Sequence, residues 1–108
     1  MSDHYPVMLD EVLTHLAPED GGVYVDGTFG AGGYTRGILN SADCTVVAID
    51  RDPSAIARAD ELKEEFGNRF IFVKGCFGDA FRLVKTVGYD HVNGFVLDVG
   101  VSSMQIDQ

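Results

Sequence analysis

Residues 44–50, CTVVAID, run apolar without alternation and end on an aspartate. A strand with one wet face alternates polar and apolar side chains. One that is apolar at every position has to be covered on both faces, as inner strands of a parallel sheet are. Parallel neighbours in turn need long crossovers, normally helices. The flanking sequence supplies them. VYVD at 23–26, RFIFVKG at 69–75 and GFVLDVG at 94–100 read as three further strands. Between them the apolar spacing becomes helical. Leu9, Val12, Leu13 and Leu16 mark a helix that Pro18 closes, and GYTRGILNS turns Ile38 and Leu39 inward. DPSAIARADELKEEF places Asp52 at the N-cap and Pro53 at the first helical position. Ile56, Ala59, Leu62 and Phe66 share one face of that helix, and Gly67 ends it. GDAFRLVKTVG is a shorter helix, and VSSMQIDQ reads as a loop.

The order is a helix followed by β-α-β-α-β-α-β. With right-handed crossovers this predicts an α/β fold, a partial doubly wound, Rossmann-like parallel sheet with strand order 3-2-1-4. Residues 1–108 are long enough for one domain at most. Such sheets continue past a fourth strand, so the chain is expected to be a truncated part of a larger domain, with the fourth strand an open edge that invites a homodimer.

Between the first strand and its helix stand Gly27, Gly30, Gly32 and Gly33. Glycine inside an element costs roughly 0.5–1 kcal/mol against alanine. Bare backbone there serves a phosphate, a nucleoside or a tight turn. Ligands of doubly wound sheets bind beyond the carboxyl ends of the strands, near the switch in strand order. Asp26, Asp50 and Asp98 all end strands at that place, and carboxylates gathered together repel unless donors satisfy them. The dinucleotide fingerprint G-x-G-x-x-G/A fails at its third glycine, where Gly30-x-Gly32 leads to Thr35. The pattern D/E-x-G-x-G-x-G of S-adenosylmethionine enzymes fits Asp26-x-Thr28-x-Gly30-x-Gly32 with one departure, Thr28. Asp50 stands where an acid takes ribose hydroxyls in either class. Three readings stay open on these residues: a methyltransferase, a dinucleotide enzyme and a structural glycine turn. The first is favoured because an acid suits a cationic ammonium better than a pyrophosphate.

The bulk numbers narrow the setting. The net charge is −9, and the eight Lys and Arg do not cluster, so this stretch is not built to grip nucleic acid by its phosphates. No apolar run approaches the ~20 residues of a membrane span, and the N-terminus lacks the basic start of a signal peptide. Cys44 and Cys76 have no metal or redox spacing and are expected to be free thiols in a reducing cytoplasm. His4, His15 and His91 show no ligand spacing, so no metal site is expected.

Four blocks, HYPVMLDEVL, YVDGTFGAGGYTRGIL, AIDRDPSAI and GFVLDVGVSSMQID, occur in order across nearly the whole chain. They closely resemble the N-terminal portion of the MraW/RsmH-type family, S-adenosylmethionine-dependent methyltransferases of small-subunit ribosomal RNA that act on N4 of a cytidine. The resemblance implies cofactor contacts at Gly32, Gly33, Tyr34, Asp50, Phe77, Asp98 and Gln105. Tyr34 stands where the family commonly has histidine, and Met104 where it commonly has proline. The implied partner is small-subunit ribosomal RNA or the immature small subunit, in the cytoplasm and without a membrane. Cytosine N4 is a donor that a carboxylate can accept, so Asp98 is the candidate catalytic residue, orienting the amine and taking its proton. Asp98 as a pure cofactor ligand is the other role. Phe77 is read as stacking on adenine or as core, and Asp26 as holding the loop or facing the ammonium. Ser102 and Ser103 are read as a turn with hydroxyls, and His4 as a structural N-terminal residue. The family continues well past residue 108, so this chain is expected to bind cofactor yet not to methylate RNA by itself. The reading from another class is a non-catalytic cofactor-binding or interaction module.

Overall fold

The structure is a computed structural model that describes residues 9–27, 33–97 and 100–102. Its helices are α1 (Leu9–Leu16), α2 (Gly33–Ser41), α3 (Ala55–Phe66) and α4 (Ala80–Thr86). Its strands are β1 (Val23–Asp26), β2 (Thr45–Asp50), β3 (Phe70–Lys74), β4 (Gly94–Leu97) and β5 (Gly100–Ser102). The sheet order is β3-β2-β1-β4-β5. The first four strands run parallel in the expected 3-2-1-4 order.

The alternation of strand side chains divides the core into two layers. Tyr24, Val46, Ala48, Phe70 and Val96 face one side, where Val12 and Leu16 of α1, Ile38 and Leu39 of α2, and Ala55, Ala59 and Leu62 of α3 cover them. Val23, Val25, Val47 and Ile49 face the other side, which α4 covers through Val84. The run that lacks alternation is thus buried from both directions: Val46, Val47 and Ala48 are wholly inaccessible. Helices α1 and α2 approach closely at Gly37, where a Cβ would sit 2.9 Å from Leu9 Cδ1. That contact explains a glycine in a helix interior, where it is otherwise unfavourable.

The structure corrects the sequence reading in four places. VSSMQIDQ does not begin as a loop: Gly100–Ser102 form β5, antiparallel to β4, with Leu97 opposite Gly100. Strand β4 is therefore covered rather than an open edge, and β5 takes its place as the edge strand on that side. Helix α3 begins at Ala55, behind Ser54 rather than Asp52. The Asp52 Oδ1 accepts the Ser54 N–H at 3.0 Å, and the Asp52 carbonyl accepts the Ala55 N–H at 3.0 Å. Aspartate side chains stabilise such turns just outside a helix, so Asp52-Pro53 initiates α3 without belonging to it. Finally, Ile56 is 45% exposed, and Ala55 takes its place in the core.

The amino end of the sheet is tightly fastened. Asn93 and Val23 exchange two bonds, the Val23 N–H to Asn93 Oδ1 at 2.9 Å and the Asn93 N–H to the Val23 carbonyl at 2.7 Å. The Arg69 guanidinium donates to the carbonyls of Cys44 (3.0 Å), Leu39 (2.5 Å) and Ala42 (2.6 Å). It thereby takes up carbonyls at the C-terminus of α2, which have no helical partner. Its plane also lies over the Phe66 ring, 5.7 Å from the centroid.

Candidate functional site

The carboxyl end of the sheet is uneven, and the register shows how. Asp26, the last residue of β1, lies opposite Ala48 on one side and Val96 on the other. Strand β2 runs two residues beyond that level to Asp50, which lies opposite Lys74 of β3. The paired part of the central strand therefore ends two residues before that of β2, directly ahead of the glycine-rich stretch of the sequence.

The two described strand-end aspartates have different surroundings. Asp26 is completely buried, and Thr35 Oγ1 donates to its Oδ2 at 2.5 Å. Thr35 is equally buried and sits in the first turn of α2. Of the two roles considered for Asp26, holding the loop is the one this geometry supports. Asp50 is half-buried, and its Oδ1 accepts the Asp52 N–H at 2.9 Å. Its carbonyl accepts the Gly75 N–H at 3.2 Å, which draws the end of β3 toward it.

Beyond Gly75 the chain enters a 3-10 turn, Phe77–Asp79. The Phe77 ring lies on the main chain of Gly27: a Cβ added there would stand 2.3 Å from Phe77 Cδ1. Phe77 also meets Phe95, with centroids 6.0 Å apart and planes tilted by 45°. Packing is thus part of what Phe77 does, and its half-buried ring remains at the carboxyl end of the sheet beside Gly27. The Gly27–Phe77 contact is a functional-region feature that sequence reasoning missed. Fifty residues separate the partners, and nothing in the sequence links them. Arg51 donates to Cys76 Sγ at 2.8 Å, bridging the ends of β2 and β3 next to Asp50.

Gly33 and Tyr34 open α2 at the carboxyl end of β1, and the Tyr34 ring packs against the α1–α3 side of the core. The first turn of a helix offers N–H groups without helical partners, a suitable place for polar ligand atoms. The remaining candidates, Gly32, Asp98 and Gln105, lie outside the described residues, as do Ser103, Met104 and His4. Among the described residues no group of His, Cys, Asp or Glu could hold a metal, and no helix is long and apolar enough to cross a membrane. Cys44 and Cys76 are both free, and burial pushes the Cys44 thiol pKa up.

This arrangement, a parallel sheet of order 3-2-1-4 with a glycine-rich crossover and an acid ending the second strand, is the Rossmann-like methyltransferase fold. The C-terminal domain of precorrin-6Y C5,15-methyltransferase from Rhodobacter capsulatus superposes with a TM-score of 0.67 at 18% identity, over 84% of this chain and 47% of that one. A geranyl diphosphate methyltransferase in complex with SAM superposes at 0.57 and 18% identity, over 64% of this chain and 29% of that one. Within this class the chain belongs to the MraW methylase family, whose model matches residues 1–108. It is 64% identical to ribosomal RNA small subunit methyltransferase H of Parvibaculum lavamentivorans, over 99% of this chain and 32% of the relative. The protein of the same name from Rhodospirillum rubrum is 56% identical, over 100% of this chain and 33% of the relative. The chain thus spans about a third of the length of the curated relatives it matches.

Proposed function

We propose that these 108 residues carry the cofactor-binding part of an S-adenosylmethionine-dependent methyltransferase domain, and that the enzyme methylates N4 of a cytidine in small-subunit ribosomal RNA. The observation that carries the cofactor reading is the half-buried carboxylate of Asp50, which ends β2 two residues beyond the level at which β1 ends. The substrate reading is supported by the relatives, whose names specify ribosomal RNA of the small subunit.

The residues fit the cofactor. Asp50 accepts hydrogen bonds from a ribose diol, while its bond from the Asp52 N–H fixes the carboxylate's direction. Phe77, held by Gly27 and Phe95, offers ring surface to an adenine. By the family resemblance, the main chain of Gly32, Gly33 and Tyr34 would hold the methionine portion and Gln105 would add a polar contact. The bound cofactor supplies a methyl group on a cationic sulfur. Asp98, directly after β4, accepts a hydrogen bond from the N4 amino group and takes its proton as the nitrogen is alkylated. Orientation matters here because that nitrogen's lone pair is delocalised into the ring. The net charge of −9 supports a division of labour in which the grip on RNA is not supplied by these residues. A ribosomal substrate, taken as the immature small subunit, implies work in the cytoplasm.

Calorimetry with S-adenosylmethionine and with NAD tests the cofactor assignment. Binding of the first and not the second is expected, and the reverse overturns it. Transfer of a radiolabelled methyl group to small subunits lacking the modification tests the substrate. Cofactor binding without any transfer, even when the remaining two thirds of a relative's length is supplied, would leave a cofactor-binding module instead.

A further inference from the structure

The buried pair of Asp26 and Thr35 calls for an explanation that stability alone does not give. Burying a carboxylate carries a large desolvation cost, and replacing buried polar pairs by apolar side chains of similar volume is often neutral or stabilising. Here both side chains are completely inaccessible, and the 2.5 Å bond is in the short range of hydroxyl-to-carboxylate bonds. Its position is informative. Asp26 ends β1, Thr35 lies in the first turn of α2, and the glycine-rich segment 27–34 is everything between them. The Thr35–Asp26 bond thus joins the two ends of that segment. The carboxylate also lies at the N-terminus of α2, where negative charge is favourable.

We infer that Thr35 is a positioning residue for the cofactor: by clasping Asp26 it fixes the spacing of the two ends of segment 27–34, and with it the approach of the Gly33–Tyr34 main chain to the ligand. This rests on the cofactor reading above. Thr35 itself does not touch the cofactor; it acts through the main chain it anchors. The hydroxyl is the essential group, so a serine serves and a valine does not.

The test compares the wild type with Thr35→Ser and Thr35→Val, and uses Thr35→Ala for the same readouts should the valine variant not fold. Amide hydrogen exchange without ligand is followed in segment 27–34 and, as the internal control, in β2 and β3. S-adenosylmethionine affinity is measured by calorimetry well below each variant's melting temperature. Loss of the hydroxyl is expected to speed exchange in the segment at least tenfold relative to β2 and β3, and to raise the Kd at least tenfold. Serine is expected to hold both within threefold of wild type. Uniformly faster exchange with an unchanged Kd would make the pair merely structural and overturn the inference. So would a serine variant as impaired as valine. A wild type that binds no S-adenosylmethionine refutes the cofactor reading and the positioning role with it. A wild type that binds, beside a valine variant that binds equally well, refutes the inference alone.

Discussion

The two ends of the sheet are built differently. At the amino end the chain answers its own polar groups: Arg69 serves three carbonyls, and Asn93 and Val23 exchange a pair of bonds. At the carboxyl end, side chains hold backbone in place and leave surface over. Asp50 supports a turn with one oxygen and stays half-buried, and Phe77 braces Gly27 while keeping part of its ring accessible. The amino end closes the fold; the carboxyl end leaves the Asp50 carboxylate and part of the Phe77 ring accessible. The same residue type illustrates both duties within one end, since Asp26 is buried on Thr35 and Asp50 is not buried at all deeply.

Substitutions can break this division. Arg69→Ala is expected to cost about 2–4 kcal/mol, because charged donors to buried carbonyls are among the stronger hydrogen bonds and three acceptors are orphaned. A urea melt gives the loss. Affinity for S-adenosylmethionine should stay within twofold in the folded protein; a parallel fall would show that the two ends are coupled. Asp50→Ala should do the opposite. Affinity is expected to drop tenfold to a hundredfold, about 1.5–3 kcal/mol, with stability changed by less than about 1 kcal/mol. An unchanged Kd with a collapsed melting temperature would make Asp50 part of the scaffold.

Smaller effects sharpen the comparison. Gly27→Ala forces the Phe77 ring aside and should cost about 1–2 kcal/mol, as overpacking does. Adding Phe77→Leu should recover part of that loss, and a double-mutant cycle with no coupling would contradict the contact. Iodoacetamide on the native protein should label Cys76, at the carboxyl end, well before the 2% exposed Cys44, whose thiol burial keeps protonated. Peptide mass spectrometry reads the order. The smallest effect concerns Asp52, fully exposed, whose carboxyl the Ser54 N–H holds below the usual range. A lowered native pKa stabilises the fold above the ordinary aspartate value, and that contribution is lost as pH falls through the lowered one. An NMR titration placing Asp52 at or above the ordinary value would remove this support for the α3 turn.

Much of the fold was legible in the sequence because burial on both faces leaves an unbroken apolar run that needs no partner to be recognised. CTVVAID, VYVD and the helical stripes carried it, and the strand order followed from reading the alternation as half of a doubly wound sheet. What was not legible depended on groups distant in sequence. The glycines at 27–33 read as one loop, yet Gly27 is bare on account of Phe77, fifty residues on. Strand β5 was missed because GVS is too short to show a period and is a strand only through its pairing with β4. Ile56 satisfied the helical spacing as well as Ala55 did; α3 starts two residues later than expected, after the Asp52-Pro53 turn, and it is Ala55 that faces inward. At the site, residue type and strand position identified Asp50 and Asp26 together. Only the packing around Thr35 separates their duties.

The Asn93–Val23 pairing also has a temporal side. β1 is the central strand and is made early, but the residue that bonds to its amino end lies seventy positions later. At ribosomal speeds of about 5–20 residues per second, roughly 3–14 s pass between the synthesis of the two. During that interval one flank of β1 has no neighbour of its own, and an unpaired strand flank recruits whatever strand is nearby. The newborn chain therefore has a period of vulnerability that ends when β4 docks, and a slower translation rate or a chaperone over the 23–26 segment would change how many chains survive it.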